Sequence, residues 1–177
     1  MAAQAYFVQG GTYVRYDLDA DHADAGYPRA LTQGWSGLDG TGFEDGIDAT
    51  LDLGAGKAYL FKGDSYLRLD QATNAVDGQV RTIAGNWPGL AEAGFGDSLD
   101  AAVNFGTGNA YFFRGDAYLR YDIAADSGDP DGARAVADDW PGLGDLGFAA
   151  GLDAVLNPGN GGVYFFRDDQ YVRYDVA

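Results

Sequence analysis

Three aspartates, Asp48, Asp100 and Asp153, each stand before an alanine and 11 residues ahead of a tyrosine: Tyr59, Tyr111 and Tyr164. If the segments that carry them converge on one axis, their starts offer a ring of oxygens. Oxygen rings suit hard cations, Ca²⁺ or Na⁺ before Mg²⁺, because Mg²⁺ demands near-octahedral geometry and keeps its waters. The same spacing fits a plainer role, in which each Asp caps its own strand or turn. A second acidic run, Asp17-Leu18-Asp19-Ala20-Asp21-His22-Ala23-Asp24, opens like an EF-hand loop. Its sixth position is His22 where Gly belongs and its twelfth is Pro28 where Glu belongs, so it reads as a solvated loop. Arg15, Arg68, Arg120 and Arg173 precede Asp17, Asp70, Asp122 and Asp175 by two residues, which puts each pair on one strand face. Recurrence in every unit reads as a structural pair between units rather than a ligand fork. His22 is the one histidine, and no serine lies in a Gly-x-Ser-x-Gly elbow, so nucleophilic catalysis has little to work with.

A repeat positions these residues. Ala5-to-Asp17, Ala58-to-Asp70, Ala110-to-Asp122 and Val163-to-Asp175 align without gaps, and their leading tyrosines, Tyr6, Tyr59, Tyr111 and Tyr164, lie 53, 52 and 53 apart. Trp35, Trp87 and Trp140 each precede the next Asp-Ala by 13 residues, whereas the stretch from closing Asp to Trp runs 18, 17 and 18. Ladders do not tolerate a one-residue slip and loops do, so the variable stretch is the surface connector. Within a unit, Ala58-Tyr59-Leu60-Phe61 and Tyr66-Leu67-Arg68-Leu69 flank Lys62-Gly63-Asp64-Ser65, which predicts a hairpin. The Asp-Ala segment predicts a further strand, and the connector predicts a short outer strand or a helical turn ending at Trp-Pro-Gly. Three to four short strands per unit, apolar on both faces and repeated, describe propeller blades. The tryptophans are expected in equivalent buried places, and the Tyr and Phe rings as packing between blades.

Composition narrows the function. The 177 residues carry a net charge of −16, which repels phosphate backbones and argues against nucleic acid as a partner. Without cysteine there is no disulfide, thiolate zinc site or thiol nucleophile. No apolar run reaches the ~18–20 residues of a membrane-spanning helix. The start, Met-Ala-Ala-Gln-Ala-Tyr, lacks a secretory pattern, and the default expectation is cytoplasmic.

The unit Asp-Ala, Tyr-Phe-Phe-Arg-Gly-Asp-x-Tyr-Leu-Arg-Tyr-Asp, Trp-Pro-Gly-Leu resembles the hemopexin repeat. Phe43-to-Ala49 followed by Tyr59-to-Asp64 is similar in particular to the seed albumin-2 branch. The resemblance covers essentially the whole chain. It implies an all-β fold, a four-bladed propeller over residues 1–177, with hairpins at 5–17, 58–70, 110–122 and 163–175. It further implies an axial channel in which the main-chain carbonyls of Asp48, Asp100 and Asp153 hold the cation, with an anion deeper against backbone amides. The chain departs from the family in two ways. The disulfide that often joins the first and last blades cannot form. The first hairpin has no Asp-Ala strand before it, so the first blade is expected to lack its inner strand, with the leader from Met1 to Gln4 too short to fill the gap. The first blade is then incomplete or completed by another chain, and self-association is expected. The function implied is a non-catalytic binding module with a small cationic ligand such as a polyamine, a porphyrin, or a protein partner at the channel mouth. Heme binding is expected to be weak, because hemopexin clamps heme with histidines from two propellers. The alternatives are an enzyme using the mouth as a pocket and a recognition domain detached from a larger protein.

Overall fold

The computed structural model describes residues 4–175, so of the leader only Gln4 falls within it and residues 1–3 lie outside the described residues. The chain forms four antiparallel sheets around an axis, one per repeat. The first blade comprises β1 (Gln4–Gln9), β2 (Thr12–Asp17), β3 (His22–Ala23) and β4 (Arg29–Ala30), and α1 (Leu31–Gly34) follows. The second comprises β5 (Ala49–Asp52), β6 (Lys57–Lys62), β7 (Ser65–Asp70), β8 (Ala75–Val76) and β9 (Arg81–Thr82), with α2 (Ile83–Asn86) after it. The third repeats this as β10 (Ala101–Asn104), β11 (Asn109–Arg114), β12 (Ala117–Asp122), β13 (Ser127–Gly128), β14 (Arg134–Ala135) and α3 (Val136–Asp139). The fourth holds β15 (Ala154–Leu156), β16 (Gly162–Arg167) and β17 (Gln170–Asp175). The hairpins form the middle of each blade, and the Asp-Ala segments are the inner strands β5, β10 and β15. The connector supplies both alternatives at once, a two-residue outer strand running into one helical turn. Among the described residues β1 pairs with β2 alone, and no inner strand lies on its axis-facing side. No helix of the described residues is long and apolar enough to cross a membrane.

The core lies between blades. Trp35, Trp87 and Trp140 are buried at equivalent places. Trp87 packs on Tyr59, Phe61 and Tyr66 of the second blade and on Phe112 and Tyr121 of the third. Trp140 repeats this one blade on, against Tyr111, Phe113, Tyr118, Phe165 and Tyr174. Burial of its ring and a hydrogen bond to Asp139 push the Tyr118 phenol up to about 12.

The arginine ladder pairs differently from the sequence expectation. Arg15, Arg68 and Arg120 do not bridge blades; they bond Asp24, Asp77 and Asp129, nine residues on in the connector of their own blade. Only Arg173 pairs with the aspartate two residues away, Asp175. The closing aspartates Asp17, Asp70 and Asp122 instead accept backbone N–H groups of the turns that follow them. The physical reason is that a short acid at the start of a turn reaches that turn's own amides, while the longer arginine spans to the connector aspartate.

In the second blade Lys57 joins this network, its Nζ donating to Asp70 at 2.7 Å and to Asp77 at 2.8 Å. The lysine, with N–H and hydroxyl donors from Thr73, lowers the Asp70 carboxyl to about 2. A depressed folded pKa stabilises above the unfolded value near ~3.9, and that contribution is lost as pH falls through about 2. Lys57→Gln is expected to return the Asp70 titration toward the ordinary range, followed by carboxyl NMR. An Asp70 in the native chain already titrating near ~4 would contradict the pairing.

Candidate functional site

The inner strands begin at one level because each begins with the same irregularity. The N–H of Asp48 donates to the Phe61 carbonyl at 2.8 Å, and Phe61 is also the register partner of Ala49. Asp100 and Ala101 share Phe113 in the same way, and Asp153 and Ala154 share Phe166. Two residues against one is the count of a β-bulge, which leaves the extra residue out of the ladder. Among the described residues no hydrogen bond ends on the main-chain oxygen of Asp48, Asp100 or Asp153.

Their side chains are occupied elsewhere. The Asp48 carboxylate accepts the N–H of Gly63 at 2.8 Å, Asp100 that of Gly115 at 2.6 Å, and Asp153 that of Asp168 at 2.5 Å. These are the first residues of the hairpin turns, all in the left-handed region: φ is 54° at Gly63, 57° at Gly115 and 53° at Asp168. Each aspartate therefore caps the turn of its own blade, the plainer role that the sequence offered. Among the described residues no three His, Cys, Asp or Glu side chains gather to hold a metal. The capping role leaves the main-chain oxygens untouched.

The three aspartates line one cavity of 160 Å³ on the axis, shared with Ala49, Ala102, Ala154 and, on the side without an inner strand, Tyr6, Phe7 and Val8. That is room for an ion and a few waters at ~30 Å³ each, well below the ~300 Å³ where organic-ligand pockets begin. A wider recess of 550 Å³ opens beside the same three aspartates and adds Asp168, with Arg167 the one cation on its wall. Four carboxylates against one guanidinium make a mouth whose field attracts cations.

The sequence reading missed the residues that hold the inner strands together. Asn104 Nδ2 donates to the Asp52 carbonyl at 3.0 Å, and Asn157 Nδ2 to the Asn104 carbonyl at 2.9 Å, stepping from blade to blade around the axis. Asp52, Asn104 and Asn157 each stand four residues after the axial aspartate, so their register was a readable signal. Lys62, Arg114 and Arg167 likewise clamp the connector carbonyls of Gly42, Gly94 and Gly147.

His22 lies exposed in β3, at the rim of the first blade, with its Nδ1 3.1 Å from the Ala23 carbonyl. Asp17, Asp21 and Asp24 of the acidic loop are engaged respectively with turn amides, the Tyr16 hydroxyl and Arg15, which makes it a structured turn rather than a cation loop.

Comparison with known proteins agrees with this geometry. The hemopexin family model matches residues 47–91 and 99–145. Albumin-2 of Pisum sativum is 38% identical over 122 residues, covering 66% of this chain and 53% of that protein. The chain thus spans about half the length of that relative. Among solved structures, a seed albumin from Lathyrus sativus, LS24, superposes with a TM-score of 0.91 at 27% identity, over 99% of this chain and 82% of that one. A plant lectin with two metal binding sites from Cicer arietinum gives 0.90 at 25% identity, over 99% and 83%.

Proposed function

This chain belongs to the hemopexin family, and on that premise we propose that it is a non-catalytic binding module holding Ca²⁺ or Na⁺ on its axis. The carrying observation is the trio of bulged residues, Asp48, Asp100 and Asp153, whose main-chain oxygens lie outside the ladder beside a cavity of ion size. Neutral carbonyl donors with water completing the shell suit Ca²⁺ or Na⁺ better than Mg²⁺. A metal-binding relative of the same fold, the Cicer arietinum lectin, supports the reading. A small organic cation, a polyamine in character, fits the acidic mouth rather than the axis, whose cavity is too small for it. The residues present do not fit a heme clamped between histidines, because the one histidine sits at the outer rim of the first blade.

Thermal unfolding of chelator-treated protein tests this. A cation at tenfold its dissociation constant adds ~1.4 kcal/mol, which for a chain of this size raises Tm by about 3–6 °C. Asp100→Asn keeps an oxygen for the Gly115 amide and leaves the main chain in place, so the cation response should persist. A response that disappears in Asp100→Asn would move the ligand to the carboxylate. No response to Ca²⁺ or Na⁺ in the native chain would remove the axial site.

A further inference from the structure

The polar network around Lys57 recurs in the third blade with its lysine replaced. Counted 52 residues on, Lys57, Arg68, Asp70 and Asp77 become Asn109, Arg120, Asp122 and Asp129. In the second blade Asp70 divides its oxygens: Oδ1 accepts the N–H and hydroxyl of Thr73, and Oδ2 accepts the Lys57 ammonium. Asp77 Oδ2 accepts the same ammonium at 2.8 Å and Arg68 Nε at 3.0 Å. Asp122 keeps the first half of this pattern, its Oδ1 accepting the N–H groups of Ala124 and Ala125. Among the described residues its Oδ2 accepts no hydrogen bond. Asp129 keeps the arginine, with Arg120 Nη2 at 2.8 Å from its Oδ2 and Arg134 further off at 4.0 Å.

The exchange of lysine for asparagine opens a groove. Asn109 faces Asp122 across β11 and β12 as Lys57 faces Asp70 across β6 and β7, so the side chains leave the sheet at matching places. An asparagine ends two bonds short of a lysine nitrogen. Asn109, Arg120, Asp122 and Asp129 all line one groove of 570 Å³, within the ~300–1,000 Å³ of small-molecule sites. Glu92, from the stretch after Trp87, adds a third carboxylate to that wall against the single guanidinium of Arg120. The second and third blades, which build the groove, both carry five strands.

We propose that this groove binds an alkylammonium ion, a primary ammonium on an unbranched aliphatic stem, with its nitrogen placed as the Lys57 ammonium is in the second blade. A primary ammonium has three N–H donors. Asp122 Oδ2 and Asp129 Oδ2 take two of them, in the positions that Asp70 and Asp77 hold around Lys57, and the Asn109 amide oxygen takes the third. The carboxylate excess rejects anions, and a quaternary ammonium has no N–H to give. The groove lies on the outer part of the third blade, away from Asp48, Asp100 and Asp153, so it does not depend on an axial cation.

Amide NMR of the whole chain, titrated with n-butylammonium at constant ionic strength, tests this. Saturable shifts are expected at Asn109, Ala124, Ala125 and Gly128, with a dissociation constant of about 1–10 mM for so small a ligand. Asn109→Lys supplies the ammonium from the chain itself and should abolish the titration while the protein stays folded. Asp122→Asn keeps an oxygen for the turn amides and should weaken binding several-fold. Nα-acetyl-lysine methylamide carries the same group on a peptide unit: tighter binding than butylammonium would assign the site to a lysine side chain, equal binding to the free amine. No shifts at these residues up to about 0.1 M butylammonium would overturn the proposal. Equal shifts with tetramethylammonium would overturn it too, by reducing the effect to diffuse attraction to an acidic chain, and so would an unchanged titration in Asn109→Lys. Shifts confined to the surroundings of Asp48, Asp100 and Asp153 would move the amine to the axial mouth and leave the groove without a ligand.

Discussion

Trp87→Ala is expected to lower stability by about 3–5 kcal/mol, the cost of a large buried ring replaced by a cavity. Trp87 is 4% exposed and touches five rings from two blades, so neither blade alone can close over the space. At 2–4 °C per kcal/mol for a chain of this size, Tm should fall by about 6–20 °C. Trp87→Phe should be far milder. The Trp87 indole N–H is buried with no hydrogen-bond partner among the described residues, so the smaller ring loses packing but no polar contact. Chemical or thermal denaturation of the pair separates these. An unchanged midpoint in Trp87→Ala would mean that the blades are not held through this ring.

Gly89→Ala should be the next most damaging change, at about 2–4 kcal/mol. Gly89 has φ of +90°, a conformation costing a side-chain-bearing residue ~1–2 kcal/mol. A Cβ there would also lie 2.9 Å from both the nitrogen and Cα of Gly128. That contact is backbone on backbone, and relieving it would stretch the 2.8 Å hydrogen bond from Gly128 N–H to the Pro88 carbonyl. Gly142 offers an internal control: it has the same φ of +90°, but a Cβ there meets nothing within 4 Å. Gly142→Ala should therefore show the conformational cost alone. If the two variants lose equal stability, the close approach of connector and outer strand contributes nothing.

These contrasts also mark how far the sequence could be read. The hairpins, the inner strands and the three tryptophans were legible because ladders and cages fix spacing, and residues 59, 111 and 164 keep time with 48, 100 and 153. The partners of the arginines were not, because Asp24, Asp77 and Asp129 lie in the connector, nine residues past the arginine and outside the invariant block. The axial aspartates illustrate the limit most clearly. Their spacing located them, but it could not say that the carboxylates turn back to Gly63, Gly115 and Asp168 while the main-chain oxygens leave the ladder. A bulge is a matter of dihedral angles, and an Asp-Ala pair is compatible with a regular strand as well. The Asn104 and Asn157 bonds around the axis needed the alignment extended four residues past the aspartate, into a stretch that read only as strand end and turn.

The axial cation can be located directly by anomalous diffraction from crystals grown in Ca²⁺. The account predicts a peak on the axis, coordinated by the main-chain oxygens of Asp48, Asp100 and Asp153 and by water, with the three carboxylates still bonded to their turn amides. A peak ligated by those carboxylates, or an axis without a peak in crystals that hold Ca²⁺ elsewhere, would contradict it.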